Sequence, residues 1–153
     1  TELDLPTPTI LYGVSMGSVA IMRAIAQEGI TPDAVILELP FAHFLNAVRS
    51  RLRYHGLPAF PTAELLVFWG SLQHGVNGFR HNPIHFAPAI NCPTLLIHGE
   101  QDKWTTVGEI NALFANISAP KQLIVSPEAG HHQLIGVDRA LWDAQVAELL
   151  NSV

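Results

Sequence analysis

The stretch Gly13-Val14-Ser15-Met16-Gly17 constrains this chain more than any other. An apolar run, Thr9-Ile10-Leu11-Tyr12, leads into it, and a helix-like segment from Ser18 to Gln27 leads out. The order is strand, tight turn, helix. A glycine-x-serine-x-glycine turn at such a junction presents a nucleophile. The Ser15 backbone is expected in a strained conformation that lifts its hydroxyl clear of the sheet. Side chains two positions either side would collide, which is the expected reason for Gly13 and Gly17. The backbone N–H of Met16 then faces the oxygen that becomes negative during acyl transfer, and the helix start adds positive partial charge there.

The rest of the chain alternates in the same way. Gly29 is a candidate helix C-cap and Thr31-Pro32-Asp33 a turn. Residues 34–39 (Ala-Val-Ile-Leu-Glu-Leu) make a second apolar strand that ends at Pro40. Such runs, apolar on both faces, belong to parallel strands covered by helices on each side. Strand, helix and strand make a βαβ unit, expected to be right-handed. From Phe41 to about Ile90 the pattern changes. Phe44, Leu45, Val48 and Leu52 fall at helical spacing, so a helix is predicted from Phe41 to Tyr54 and a second from Thr62 to about Gln73. Fifty residues without a strand are too many for a plain crossover, so 41–90 reads as a helical cap insertion. Its aromatics, Phe60, Phe68, Trp69 and Phe79, are expected mainly as its own core. Pro93–His98 and Lys121–Val125 are the third and fourth strands. Thr106-Val107-Gly108-Glu109 resembles a capping box opening a helix with Ile110, Leu113, Phe114 and Ile117 on one face. A last helix from near Asp138 should bury Trp142, Val146, Leu149 and Leu150. The fold class is therefore α/β. It has three layers, a mostly parallel sheet of about four strands with helices on both faces, and one partial domain over 1–153 that carries the insertion.

Composition removes several function classes. The chain is 48% hydrophobic with a net charge of -5, and it has no basic block beyond Arg49, Arg51 and Arg53, which argues against a nucleic-acid partner. Those arginines read as a solvated cap surface, with carboxylate binding as the alternative. No apolar run reaches membrane-span length. Cys92, the single cysteine, leaves the compartment undecided. The histidines do not suggest a metal. His131 and His132 are adjacent and their side chains diverge, Pro83 interrupts the helical spacing of His81 and His85, and no His-Glu-x-x-His occurs. No cofactor is expected.

Parallel α/β sheets do their chemistry at the C-terminal ends of their strands. Ser15 leaves the first strand there, Asp102 the third and His131 the fourth. A serine hydroxyl is a weak nucleophile and needs an imidazole to take its proton. The imidazole in turn needs a carboxylate to hold its tautomer. Glu100 competes with Asp102 for the acid's place, and His132 competes with His131 for the base's.

Taken as a set, three pieces resemble the α/β-hydrolases, nearest to the esterase and prolyl-oligopeptidase-like branch. They are Gly13-Val14-Ser15-Met16-Gly17, then Leu95-Leu96-Ile97-His98-Gly99-Glu100-Gln101-Asp102, then Ala129-Gly130-His131. The resemblance implies Ser15 as nucleophile, His131 as general base and acid, and Asp102 as the orienting carboxylate. Met16 would supply an oxyanion-hole N–H, and the substrate would be a small-molecule ester. The family's His-Gly-x-x-Asp pattern favours Asp102, and its Gly-His step favours His131. An acyltransferase using the same triad, or a non-catalytic binding module, is the alternative.

By the same resemblance the family's sheet has eight strands and the serine ends the fifth, so this chain corresponds to the last four, a truncated form of the fold. The loop that gives the second oxyanion-hole N–H lies in the family's front half. Losing one such donor costs on the order of 10²–10³ in rate, so the isolated chain is expected to be weakly active or inactive. The chain begins at Thr1 and enters a buried-type strand almost at once, so sequence is expected before it. An unpaired apolar edge seeks another strand, and the mean hydropathy of +0.25 suits a chain that buries more than it can alone. A homodimer through the exposed sheet edge is therefore expected.

Overall fold

The computed structural model describes residues 8–153. Four parallel strands form one sheet in sequence order: β1 (Ile10–Val14), β2 (Ala34–Glu38), β3 (Thr94–Gly99) and β4 (Lys121–Ser126). Tyr12 lies opposite Ile36, Leu37 opposite Leu96, and Leu96 opposite Leu123. Between the strands run α1 (Met16–Glu28), α2 (Phe44–Tyr54), α3 (Thr62–His74) and α4 (Val107–Asn116). After β4 come the short α5 (Leu134–Val137) and α6 (Arg139–Leu150).

The period of two along each strand sorts the core into two layers. Leu11, Val35, Leu37, Leu96 and Leu123 meet Met22 and Ile25 of α1 and Ile110 and Leu113 of α4. The residues between them, Ile10, Ala34, Ile36, Leu95, Ile97 and Ile124, meet Leu134 of α5 and Trp142, Val146 and Leu149 of α6. Helices therefore cover both faces. Each fully buried Leu, Ile or Met side chain contributes about 1.5–3 kcal/mol.

Caps set several helix ends. Gly29 closes α1 in the left-handed region. The Asp138 side chain accepts from the Leu141 N–H at the start of α6. Thr106 Oγ1 accepts from the Glu109 N–H at 3.2 Å, which is half of the expected capping box. The Glu109 carboxylate does not return to the cap. It accepts from the Ala42 and His43 N–H groups, both at 3.0 Å. It thereby pins the start of the 41–90 insertion to α4.

That insertion holds α2, α3 and three 3₁₀ turns, Gly78–Arg80, Pro83–His85 and Ala87–Ala89. The first helix starts at Phe44 and not at Phe41. Leu39 sits at φ 52° with its N–H bonded to the Ile97 carbonyl, and Phe41 turns into the core at 1% exposure. The chain must leave the sheet before it can wind. The aromatics expected as a local core are exposed instead: Phe60 at 75%, Trp69 at 57%, Phe68 at 52% and Phe79 at 41%. Helix α3 carries apolar residues round most of its circumference, but it buries only Ala63 and Val67. In α6, Leu149 is buried while Leu150 faces out, because consecutive helical residues point about 100° apart.

Candidate active site

The turn after β1 places Ser15 at φ 52° and ψ -111°, a conformation that L-residues avoid at a cost of about 1–3 kcal/mol. Hydrogen bonds from Ser15 and Ser18 hold the turn there. The Ser15 N–H donates to the Glu38 carbonyl at 2.7 Å. Ser18 Oγ bridges the Gly13 and Glu38 carbonyls at 2.7 and 2.8 Å. A Cβ on Gly13 would lie 2.5 Å from the Gly17 carbonyl carbon and 2.6 Å from the Ser18 nitrogen, so glycine is required there. Gly17 differs from the expectation: a Cβ on it would meet nothing within 4 Å. The crowding falls on the strand side of the turn, because α1 folds back over Gly13. Met16 is the first residue of α1, where the N–H has no intrahelical acceptor.

Asp102 lies in the loop after β3 and is buried. Its Oδ1 accepts from the Trp104 and Thr105 N–H groups at 2.7 and 3.3 Å. Its Oδ2 stands 2.7 Å from His131 Nδ1. Burial on its own would raise this carboxyl, but the hydrogen bonds from His131 and the two backbone N–H groups outweigh it and hold the acid below its ordinary range. His131 Nε2 is 3.1 Å from Ser15 Oγ. Because Asp102 is an acceptor, Nδ1 carries the proton in neutral His131 and Nε2 faces the hydroxyl as an acceptor. The chain thus brings Ser15, Asp102 and His131 into one hydrogen-bonded line across three strand ends. Glu100 and His132, the competing residues, are exposed.

The two loops that carry Asp102 and His131 are joined directly. Glu100 N–H donates to the Ser126 carbonyl and Gln101 N–H to the Ala129 carbonyl, both at 2.9 Å. A Cβ on Gly99 would approach the Gly130 and Ala129 carbonyl oxygens to 2.3 and 2.4 Å, so the close approach of these loops depends on that glycine.

Several site residues were not singled out from the sequence. Glu38 is fully buried at the end of β2. Its carboxylate accepts from Tyr12 Oη on β1 and from the Leu134 N–H just past His131, and Gln133 Nε2 donates to the same Tyr12 hydroxyl at 3.1 Å. Burial and the bond to Glu38 push the Tyr12 phenol up to about 12. The available signal was a lone carboxylate in an otherwise apolar buried strand. His98 is likewise buried, with Nε2 3.1 Å from the Thr105 carbonyl and Nδ1 4.0 Å from Asp102 Oδ2. Burial lowers its pKa, so it stays neutral. Trp104 lies beside the His131 ring, with centroids 4.2 Å apart.

The arginines expected on a solvated surface separate by direction. Arg49 pairs with Glu64, whose carboxyl is held below its ordinary value by that guanidinium. Arg51 Nη2 reaches to 3.5 Å from Ser15 Oγ, and its guanidinium carbon sits 4.7 Å from the Trp104 ring centroid. Beside Met16 opens a cavity of about 450 Å³ lined by Phe44, Val48, Leu66 and Val67 among others. Of the aromatics considered for a pocket, Phe60, Phe68, Trp69 and Phe79 do not line it. His81 packs against the Phe44 and Phe86 rings. Among the described residues, no three His, Cys, Asp or Glu side chains group as metal ligands. Among the same residues no helix is long and apolar enough to cross a membrane.

No protein-family model matches the chain. It is similar to the lysophosphatidylserine lipase ABHD12 of Danio rerio, with 31% identity over 108 residues, 63% of this chain and 25% of that protein. Among solved structures, the esterase Pf2001 of Pyrococcus furiosus superposes with a TM-score of 0.72 at 21% identity, covering 94% of this chain and 53% of that one. Acetyl xylan esterase 1 of a Thermoanaerobacterium species superposes with a TM-score of 0.68 at 19% identity, covering 97% and 48%. The chain therefore spans about half the length of these esterases and a quarter of the lipase. With four parallel strands in sequence order, helices on both faces and these structural neighbours, the chain has the α/β-hydrolase fold and carries about half of it.

Proposed function

We propose that the chain forms the nucleophile, acid and base side of a serine hydrolase of carboxylic esters. The observation that carries this reading is the unbroken line from Asp102 Oδ2 to His131 Nδ1 and from His131 Nε2 to Ser15 Oγ, at 2.7 and 3.1 Å. In this reading Ser15 Oγ attacks the ester carbonyl as its proton passes to His131 Nε2. The Met16 N–H faces the oxyanion. The C–O bond to the alcohol breaks, and His131 returns the proton to the leaving oxygen. Water then gives its proton to His131 and attacks the acyl-enzyme. The acid leaves and Ser15 regains its hydrogen. Asp102 supports the imidazolium that forms at each step. The apolar cavity beside Met16 suits the acyl chain, and the relatives, two esterases and a lipase, favour esters over amides.

The test is intact-mass measurement after exposure to an alkyl fluorophosphonate. The wild-type chain should gain one adduct and Ser15→Ala none. An adduct that persists in Ser15→Ala, or a folded wild-type chain that takes none, overturns the reading.

A further inference from the structure

We propose that Arg51 is a specificity residue that receives an anionic group, carboxylate or phosphate, carried by the ester substrate within a few bonds of the scissile carbonyl. The proposal rests on the serine-hydrolase reading above and narrows its substrate class.

Three observations converge on Arg51. Its Nη2 is 3.5 Å from Ser15 Oγ, so the guanidinium borders the position where a carbonyl carbon must sit to be attacked. It lies over the Trp104 ring, which itself lies against His131. Stacking of this kind fixes the plane of a guanidinium and leaves its N–H edge free to donate. Among the described residues no carboxylate pairs with Arg51, whereas Arg49, two residues earlier on α2, is neutralised by Glu64.

A half-buried guanidinium has five N–H donors in a planar fork, and here a serine hydroxyl takes only one of them at long range. A carboxylate or phosphate oxygen pair is the group that such a fork binds best. A neutral ester offers nothing to the remaining donors and must still displace water from them. The cavity beside Met16 is apolar along Phe44, Val48 and Leu66 and is not lined by Arg51, so an apolar chain and an anionic group would have separate places. An ester bearing both, an anionic amphiphile, uses both places at once.

The experiment compares kcat/KM for two matched pairs of esters. Mono-p-nitrophenyl succinate against p-nitrophenyl butyrate puts a carboxylate on the acyl side. Butyrylglycerol phosphate against monobutyrin puts a phosphate on the alcohol side. For at least one pair the anionic-to-neutral ratio should fall roughly 10- to 100-fold in Arg51→Gln, the loss expected when a charge-assisted hydrogen bond is removed, with Arg51→Lys between. The pair that responds identifies the anion and its side. Ratios within twofold of wild type for both pairs overturn the proposal. Should no ester be turned over, the hydrolase reading is what fails. The Arg51 site is then judged by isothermal titration of butyl phosphate and N-butylsuccinamate into Ser15→Ala. Saturable binding of either that Arg51→Gln abolishes upholds the site, and absence of binding, or binding that survives Arg51→Gln, overturns it.

Discussion

Replacing Glu38 tests whether a buried carboxylate fastens the His131 loop to the strand that ends in Ser15. In Glu38→Leu the side-chain volume is nearly kept but both acceptors vanish. The Leu134 N–H is buried where it meets Glu38. Leaving it unpaired costs the full desolvation of a backbone donor, about 1–3 kcal/mol. The Tyr12 hydroxyl, on a residue 43% exposed, can turn to water, so its lost bond adds only about 0.5–1.5 kcal/mol. Glu38→Leu should therefore lower the unfolding free energy by about 2–4 kcal/mol in urea titrations at neutral pH. Glu38→Gln keeps one acceptor for Leu134 and should cost about half as much. Tyr12→Phe, crossed with Glu38→Leu, should show a coupling of at least about 0.5 kcal/mol, because the two side chains share one bond. Labelling of Ser15 by a fluorophosphonate should slow with Glu38→Leu even where the protein is fully folded, since Leu134 lies three residues beyond His131. A cost below about 0.5 kcal/mol, together with zero coupling to Tyr12, would refute the fastening role.

Two further perturbations follow from the same geometry. Gly13→Ala should lower Tm by several degrees and suppress Ser15 labelling, because its Cβ meets the Gly17 carbonyl carbon at 2.5 Å. Gly17→Ala should leave Tm equal or higher, since the site is open and alanine gains up to about 1 kcal/mol over glycine in a helix; thermal unfolding of both variants side by side decides it. Stability should also fall at both ends of the pH range. The His98 pKa is depressed on folding, so its contribution is present above 6.5 and is lost as pH falls below that value. The Tyr12 pKa is raised from 10.0 to about 12, so its contribution is present below 10 and is lost as pH rises through that interval. Urea midpoints across pH should show the acid-side loss shrink in His98→Asn and the alkaline-side loss shrink in Tyr12→Phe; unchanged profiles would count against both assignments.

The strands were legible because each is a short apolar run stopped by a turn residue, and the strand ends carried the chemistry-bearing residues in a recognisable order. Apolar on both faces, the strands did not show which residues face which helices; in the structure Val35 and Leu37 go to one helix layer, Ala34 and Ile36 to the other. What resisted reading was direction. Arg49 and Arg51 look alike in sequence, yet two residues on a helix point about 200° apart, so one meets Glu64 and the other meets Ser15. Helix α3 misled for the opposite reason. Leu65, Leu66, Phe68, Trp69 and Leu72 suggest burial, but each is more than half exposed, because apolar content does not determine which side has a neighbour to pack against. The left-handed Leu39 carries no compositional sign at all. Its conformation is imposed by the Ile97 carbonyl it must reach, a residue 58 positions away in the chain.

The hydrogen bond between Ser15 and His131 joins residues 116 apart in the chain. Closing so long a loop costs on the order of 4 kcal/mol in chain entropy beyond a constant, and no local contact repays it. The β1 turn and α1 are built from neighbouring residues, while the His131–Ser15 contact spans β2, β3 and β4. Contacts of such sequence separation form late and slowly. A serine-directed probe applied during refolding would stay silent while helix and strand signals recover, and would report only when the last strand docks. If Ser15 is the nucleophile proposed above, its labelling would time the docking of the His131 loop during refolding.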